Sequence, residues 1–294
     1  MHPSLTAPVI DAHHHFWLDP APAKYPWMSD ELAAIRRPFG PDDLRPLLVA
    51  NRVDRTVLVQ TRGSLEESIE FLDLAADSGF VAGVVAWVDL TDAQVASRIA
   101  ELKATPNGDL LVGIRHQVHD EPDPHWLRRS DVRRGLRAVE EAGLVYDLLV
   151  KEPQLHAALD TARALPNLSF VIDHIAKPRI AAGPEDAGWG VGMASFSDLA
   201  NVSCKVSGMV TEADWRNWTI DSLAPYVAKV LDWFGDDRLL YGSDWPVCLL
   251  ASSYEGVLTA TRALFAHLPE RARAPLFGGH ALRLSGLDAR LGRL

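Results

Sequence analysis

Short apolar runs alternate with longer amphipathic stretches along the whole chain, and this alternation restricts the fold more than any other feature. Eight runs read as buried strands: Val9–His15, Thr56–Gln60, Val81–Val88, Leu110–His116, Val145–Val150, Leu168–Ile175, Val202–Ser207 and Leu239–Asp244. Each is rich in Val, Ile and Leu without strict alternation, as expected of a parallel strand covered on both faces. Helix signals fill the gaps. Ser64-Leu65-Glu66-Glu67 has capping-box spacing, and Leu65, Ile69, Leu72 and Ala76 then share one face until Gly79. Thr91-Asp92-Ala93-Gln94 is expected to open the next helix the same way. Ser130 is placed to cap a helix carrying Val132, Leu136 and Val139, which stops near Gly143. Residues 155–165 read as a further helix, and Leu223, Val227, Val230 and Phe234 form another stripe, ended by Gly235. Strands and helices in this order predict an α/β fold, a (β/α)8 TIM barrel forming one domain over residues 1–294. An open doubly wound sheet is the rival. It requires a glycine-rich phosphate turn after the first strand, where this chain has histidines and Phe16-Trp17. Gly188-Trp189-Gly190-Val191-Gly192 is read as following a loop, not a strand.

Composition narrows the class. Hydrophobic residues make up 48% of 294, enough for a large core. The formal net charge is -10, from 29 basic and 39 acidic residues, and no segment gathers Lys or Arg among aromatics, so no nucleic-acid partner is expected. Cys204 and Cys248 have no metal-binding spacing and suit a reducing cytoplasm. The first residues lack the pattern of a secretory leader, and no run reaches the roughly 18 apolar residues of a membrane span. The expectation is a cytoplasmic protein without a membrane partner.

The ends of the expected strands carry the chemistry. In Val9-Ile10-Asp11-Ala12-His13-His14-His15, alternation puts Asp11, His13 and His15 on one face and Ile10, Ala12 and His14 on the other. Two adjacent imidazoles at a strand end suit a divalent metal or a polarised carbonyl. Strand two ends in Gln60, strand four in Arg115-His116-Gln117, and strand six in Asp173-His174 followed by Lys177-Pro178. Strand seven carries Lys205 and Ser207, and strand eight ends in Asp244-Trp245-Pro246. Active sites of (β/α)8 barrels lie at these ends. Asp173 is expected to face away from His174. Lys205, buried in an apolar strand, requires a partner or a wet cavity. Gln60, Arg115, His116, Gln117, Lys205, Trp27 and Trp245 are the candidate substrate contacts. Trp17, Trp27, Trp126, Trp189, Trp215 and Trp245 all follow strands, where they suit a ring-shaped ligand or a packed rim.

The segments from Asp11 to Trp17, Asp173 to Pro178, Lys205 to Gly208 and Tyr241 to Pro246 resemble the amidohydrolase superfamily. Within it the chain is similar to the amidohydrolase-2 branch of sugar and aromatic-acid lactonases, nearly to its end at Phe277-Gly278-Gly279-His280-Ala281. The resemblance implies a (β/α)8 barrel and hydrolysis of a cyclic ester. It places the histidine pair at His13 and His15, the strand-six histidine at His174 and the strand-eight aspartate at Asp244. Strand five ends in Leu148-Leu149-Val150, without the histidine of two-metal members, and strand four offers no bridging lysine. The resemblance therefore implies one divalent ion, zinc foremost, held by His13, His15, His174 and Asp244, or none. His280 stands where an asparagine is usual, and is expected to act as a helix cap.

Two readings follow, with a third behind them. The leading one is a lactonase opening a small sugar (aldono) lactone, with Asp244 as general base and the three histidines polarising the carbonyl. The alternative is a metal-dependent decarboxylase of the same superfamily, marked by an arginine cluster. A catalytically silent sugar-binding barrel would lack the base, and Asp244 is present.

Overall fold

The structure is a computed structural model that describes residues 8–21, 23–183, 186–284 and 286. The expected domain runs to both ends of the chain, and residues 1–7 and 287–294 lie outside the described residues. Eight strands form one parallel sheet in chain order: β1 (Ile10–His14), β2 (Arg55–Val59), β3 (Val81–Ala86), β4 (Leu111–His116), β5 (Val145–Leu148), β6 (Phe170–Ile172), β7 (Val202–Val206) and β8 (Leu239–Tyr241). Just beyond β8, Asp244 N donates to His13 O at 2.8 Å and His15 N donates to Trp245 O at 2.7 Å, which brings the last strand back to the first. The molecule is a (β/α)8 barrel.

The helices are α1 (Pro41–Asn51), α2 (Leu65–Ser78), α3 (Val95–Lys103), α4 (Ser130–Glu141), α5 (Leu155–Ala164), α6 (Ala187–Ala194), α7 (Met209–Glu212), α8 (Ile220–Phe234), α9 (Tyr254–Leu264), α10 (Glu270–Ala274) and α11 (His280–Leu284). Their apolar faces pack on the outward residues of the strands. Ser64 caps α2 as expected, accepting from Glu67 N at 3.1 Å. Glu67 does not close the box. Its buried carboxylate accepts instead from Thr61 N at 2.8 Å and Arg62 N at 2.9 Å, tying down the loop after β2. Thr91 does not cap α3, because its hydroxyl is bound to Asp89 and the helix starts only at Val95. Ser130 is the first residue of α4 and leaves the cap position to Arg129. The glycine-rich stretch around Trp189 lies in α6, where Gly188 and Gly192 allow close approach to Glu152 and Leu155.

Inside the ring, Ile10, Ala12, Val57, Val59, Val85, Val112, Val145, Val171 and Leu240 make a separate apolar core, closed below by Ala281 and Leu282 of α11. His280 stands at the C-cap of the turn Pro275–Gly279, where its backbone N donates to Pro275 O, but its side chain caps nothing. Its Nε2 lies 2.8 Å from Ser203 Oγ on β7, joining α11 to the barrel.

One correction concerns β1. Ile10 and Ala12 point into the ring, so strict alternation would send His14 inward as well. The pairing with β2 instead shifts register between Asp11 and His14, the mark of a bulge. His13 and His15 therefore turn inward, whereas Asp11 faces out toward Tyr254 of α9. Asp11 does not share the histidines' face. It holds the seam from outside, accepting from Ser243 N at 2.8 Å and from Tyr254 Oη at 3.1 Å. Seven of the eight strands are shorter than expected, β6 and β8 by the most. After Ile172 and at Asp244 the backbone enters the left-handed region, which ends strand pairing and redirects the side chains.

Candidate active site

Period-two alternation builds the lower half of the site. Val145 faces inward, and so does Asp147 two residues on. Lys205 of β7 meets it across the ring, both above the interior valines. Val171 leads in the same way to Asp173. These groups form a buried charged layer. Lys205 is ion-paired with Asp147 and lies 2.9 Å from Asp173 Oδ1. Arg115 of β4 donates to Asp173 Oδ2 at 3.0 Å and also to the carbonyl of Gln60. Two carboxylates thus face two cations, and charge is compensated where water is excluded. Burial pushes Asp147 up to about 6 against the attraction of Lys205. Burial also opposes ionisation of Asp173, but Lys205, His13 and Arg115 outweigh it and hold that carboxyl well below the usual range.

His13 rests on this layer. Its Nδ1 lies 3.3 Å from Asp173 Oδ1 and 3.3 Å from Lys205 Nζ. Gly242 leaves room for it, since a Cβ there would stand 2.7 Å from the Cβ of His13. His15 Nδ1 lies 2.7 Å from Val59 O, which can only accept, so Nδ1 carries the proton and Nε2 presents a lone pair. Arg115 Nη1, which can only donate, lies 3.4 Å from His13 Nε2, so that nitrogen presents a lone pair as well. The two Nε2 atoms then stand 3.2 Å apart. His174 completes the ring of nitrogens, its Nδ1 2.9 Å from Ser207 Oγ and its Nε2 3.8 Å from Asp244 Oδ1. Gly208 is required beside it, with φ of 62° and no space for a Cβ against the imidazole. Asp244 Oδ1 is 3.5 Å from His15 Nε2 and 3.9 Å from His13 Nε2. Burial opposes ionisation of Asp244, but His174 and His15 hold it below the ordinary carboxylate value. Burial pushes His13 and His174 well below the ordinary imidazole value, so both are neutral.

This donor set fits a cation. Two lone pairs at 3.2 Å repel unless a proton or a metal lies between them, and desolvation disfavours the proton. Ligands about 2.0–2.2 Å from a common tetrahedral ion stand about 3.3–3.6 Å apart. The separations of 3.2, 3.5 and 3.9 Å among His13, His15 and Asp244 lie close to that. Two imidazoles and a carboxylate suit zinc or a similar divalent ion.

Above this cluster opens a cavity of about 280 Å³. His15, His174 and Asp244 line it. Of the expected substrate contacts, Trp27, Arg115 and Gln117 line it too. The other four do not. Gln60 is wholly buried beneath, donating to Arg115 O. Lys205 lies in the charged layer. His116 stacks on Trp126 at 4.4 Å and bonds Glu121 at 2.6 Å. Trp245 packs in the wall between Phe16 and Phe39. Of the six tryptophans, Trp27 and Trp215 alone line the cavity. Asp173 and Asp147 escaped the sequence reading as members of the site, although alternation from Val171 and Val145 marks both. His119, Asp120 and Glu212 also line the cavity, from short helical turns that carry no sequence period.

Comparison with known proteins agrees with this geometry. The amidohydrolase family model matches residues 10–287. An L-fucono-1,5-lactonase of Burkholderia ambifaria is 40% identical over 284 residues, covering 95% of this chain and 96% of the relative. An L-fucono-1,5-lactonase of Burkholderia multivorans is 38% identical, covering 96% of this chain and 98% of the relative. A crystal structure of an amidohydrolase from Burkholderia multivorans with bound zinc superposes with a TM-score of 0.89 at 36% identity, covering 95% of this chain and 99% of that one. With the family model spanning almost every strand and helix described above, the chain belongs to the amidohydrolase family.

Proposed function

We propose that this enzyme is a lactonase that opens a small polyhydroxylated sugar lactone by direct attack of water. The observation that carries the reading is the convergence of Asp244 with the Nε2 atoms of His13, His15 and His174 beneath a cavity of about 280 Å³. The names of the two Burkholderia relatives support it.

His13, His15 and Asp244 would hold the divalent ion, with His174 beside them. Bound there, it supplies positive charge that polarises a carbonyl and acidifies water. Asp244, ionised at neutral pH, accepts a proton from the attacking water as the new C–O bond forms. When the tetrahedral adduct collapses, the ring C–O bond breaks and Asp244 returns that proton to the leaving oxygen. The product is the open hydroxy acid. His15 cannot donate to the developing oxyanion while its one proton is held by Val59. A decarboxylase would place several arginines around its substrate. Among the described residues, Arg115 is the one arginine lining the cavity, and Asp173 and Gln60 engage it.

The test is acid release from a panel of aldonolactones, butyrolactone and a pyrone dicarboxylate, with Asp244→Asn in parallel. Opening of a sugar lactone is expected, with kcat lower by about two to four decades in the variant. Near-normal turnover by Asp244→Asn would remove it as the base. Failure of every lactone to open would move the decarboxylase reading ahead.

A further inference from the structure

The end of β6 holds four successive non-glycine residues in left-handed backbone: His174 at φ 54°, Ile175 at 47°, Ala176 at 59° and Lys177 at 51°. Non-glycine residues are strained in this region, and such strain clusters at active sites and ligand clamps. The turn delivers two polar side chains to the cavity, and the proposed chemistry uses only His174. The second is Lys177. Its Nζ meets Glu212 Oε1 of α7 at 2.5 Å. Both side chains line the cavity and are partly open, at 18% and 22% exposure.

The pair is under-used. An ammonium has three protons and a carboxylate about four lone-pair sites. Among the described residues, neither side chain has another hydrogen-bond partner. The cavity therefore offers free donors and free acceptors side by side. A carboxylate ligand would meet Glu212, and a cationic one would meet Lys177. A neutral ligand whose neighbouring groups each donate and accept satisfies both, and adjacent hydroxyls are such groups.

We propose that Lys177 and Glu212 form a diol-recognition subsite. The ammonium donates to one ring hydroxyl, and the carboxylate accepts from its neighbour. The subsite rests on the lactonase reading and makes these two residues determinants of selectivity for hydroxylated over plain lactones. A site built to bond hydroxyls discriminates because an analogue lacking them leaves its polar groups unpaired.

The experiment compares kcat/KM for L-fucono-1,5-lactone and for δ-valerolactone, which has the same ring without hydroxyls. Wild type, Lys177→Met, Lys177→Arg and the near-isosteric Glu212→Gln are assayed, each checked for a normal melting transition. The preference for the hydroxylated lactone is expected to fall about 10- to 100-fold in Lys177→Met and Glu212→Gln, through KM more than kcat. Lys177→Arg should keep most of it. Variants that retain the wild-type preference, or lose rate equally on both lactones, would overturn the subsite and leave the lactonase reading standing. A wild-type enzyme that opens neither would overturn the lactonase reading, and the subsite with it.

Discussion

Replacing Lys205 by Met tests the charged layer under the site. The substitution keeps length and removes the cation, leaving Asp147 among the interior valines without its partner. Asp173 retains Arg115 and His13. Removing one member of a buried pair costs about 3–5 kcal/mol, because the other charge stays desolvated. At about 2–4 °C per kcal/mol for a chain of this size, the midpoint should fall by roughly 6–20 °C. The loss should depend on pH. Burial already raises Asp147 from 3.8 to about 6, and Lys205 is the main group opposing that rise. In Lys205→Met the folded-state value climbs further. A carboxyl with a raised folded pKa contributes stability that is complete below its unfolded pKa and declines as pH rises through the folded value. The deficit should therefore be larger at pH 8 than at pH 5. Adding Asp147→Leu removes the stranded charge and should recover most of the loss, since apolar replacement of a buried pair is often neutral. Urea unfolding at both pH values, at fixed metal content, measures this. A deficit under about 1 kcal/mol at pH 8, or a double variant no better than the single, would refute the pairing argument.

Elemental analysis of protein purified without added metal should give at most one divalent equivalent per chain. The grouping of His13, Asp173 and His174 shares His13 with the first cluster, and the oxygens of Asp173 are already committed to Lys205 and Arg115. Two tightly bound equivalents would contradict this. His280 supplies a separate acid-sensitive term, since burial lowers it from 6.5 to about 4. The stability it contributes is complete above about 6.5 and is lost as pH falls through about 4. His280→Asn can still bond Ser203 and does not ionise, so its melting temperature should drop less than wild type between pH 7 and 4.5. Parallel curves would show that His280 does not carry the term.

The sequence revealed the barrel because each strand is apolar on both faces. It also pointed to His13, His15, His174 and Asp244, which the structure brings together, because each stands where an apolar run stops. Tertiary constraints hid the rest. The bulge in β1 reverses the parity of Asp11 relative to the histidines, and nothing in Ile10-Asp11-Ala12-His13 announces it. Asp173 does not face away from His174 as expected; the two share the site although they are neighbours, because the backbone is left-handed from His174 to Lys177. Trp245 and His116 stand at strand ends yet point into the wall. Asp147 is legible from its place two residues after Val145 on the same face, although the strand ends in two leucines and a valine.

The seam between β1 and β8 has a temporal consequence. His13 and His15 lie within the first 15 residues, and Asp244 reaches them only through bonds that span some 230 positions: Asp244 N to His13 O, Trp245 O to His15 N, Ser243 N to Asp11. Contacts of such sequence separation form late and slowly. During synthesis the two histidines emerge long before the aspartate, and the cluster stays incomplete until the ring closes. On the proposed reading, metal capture and catalytic competence both wait for that closure, and a nascent chain carries no half-built hydrolytic centre that could act before the barrel is whole.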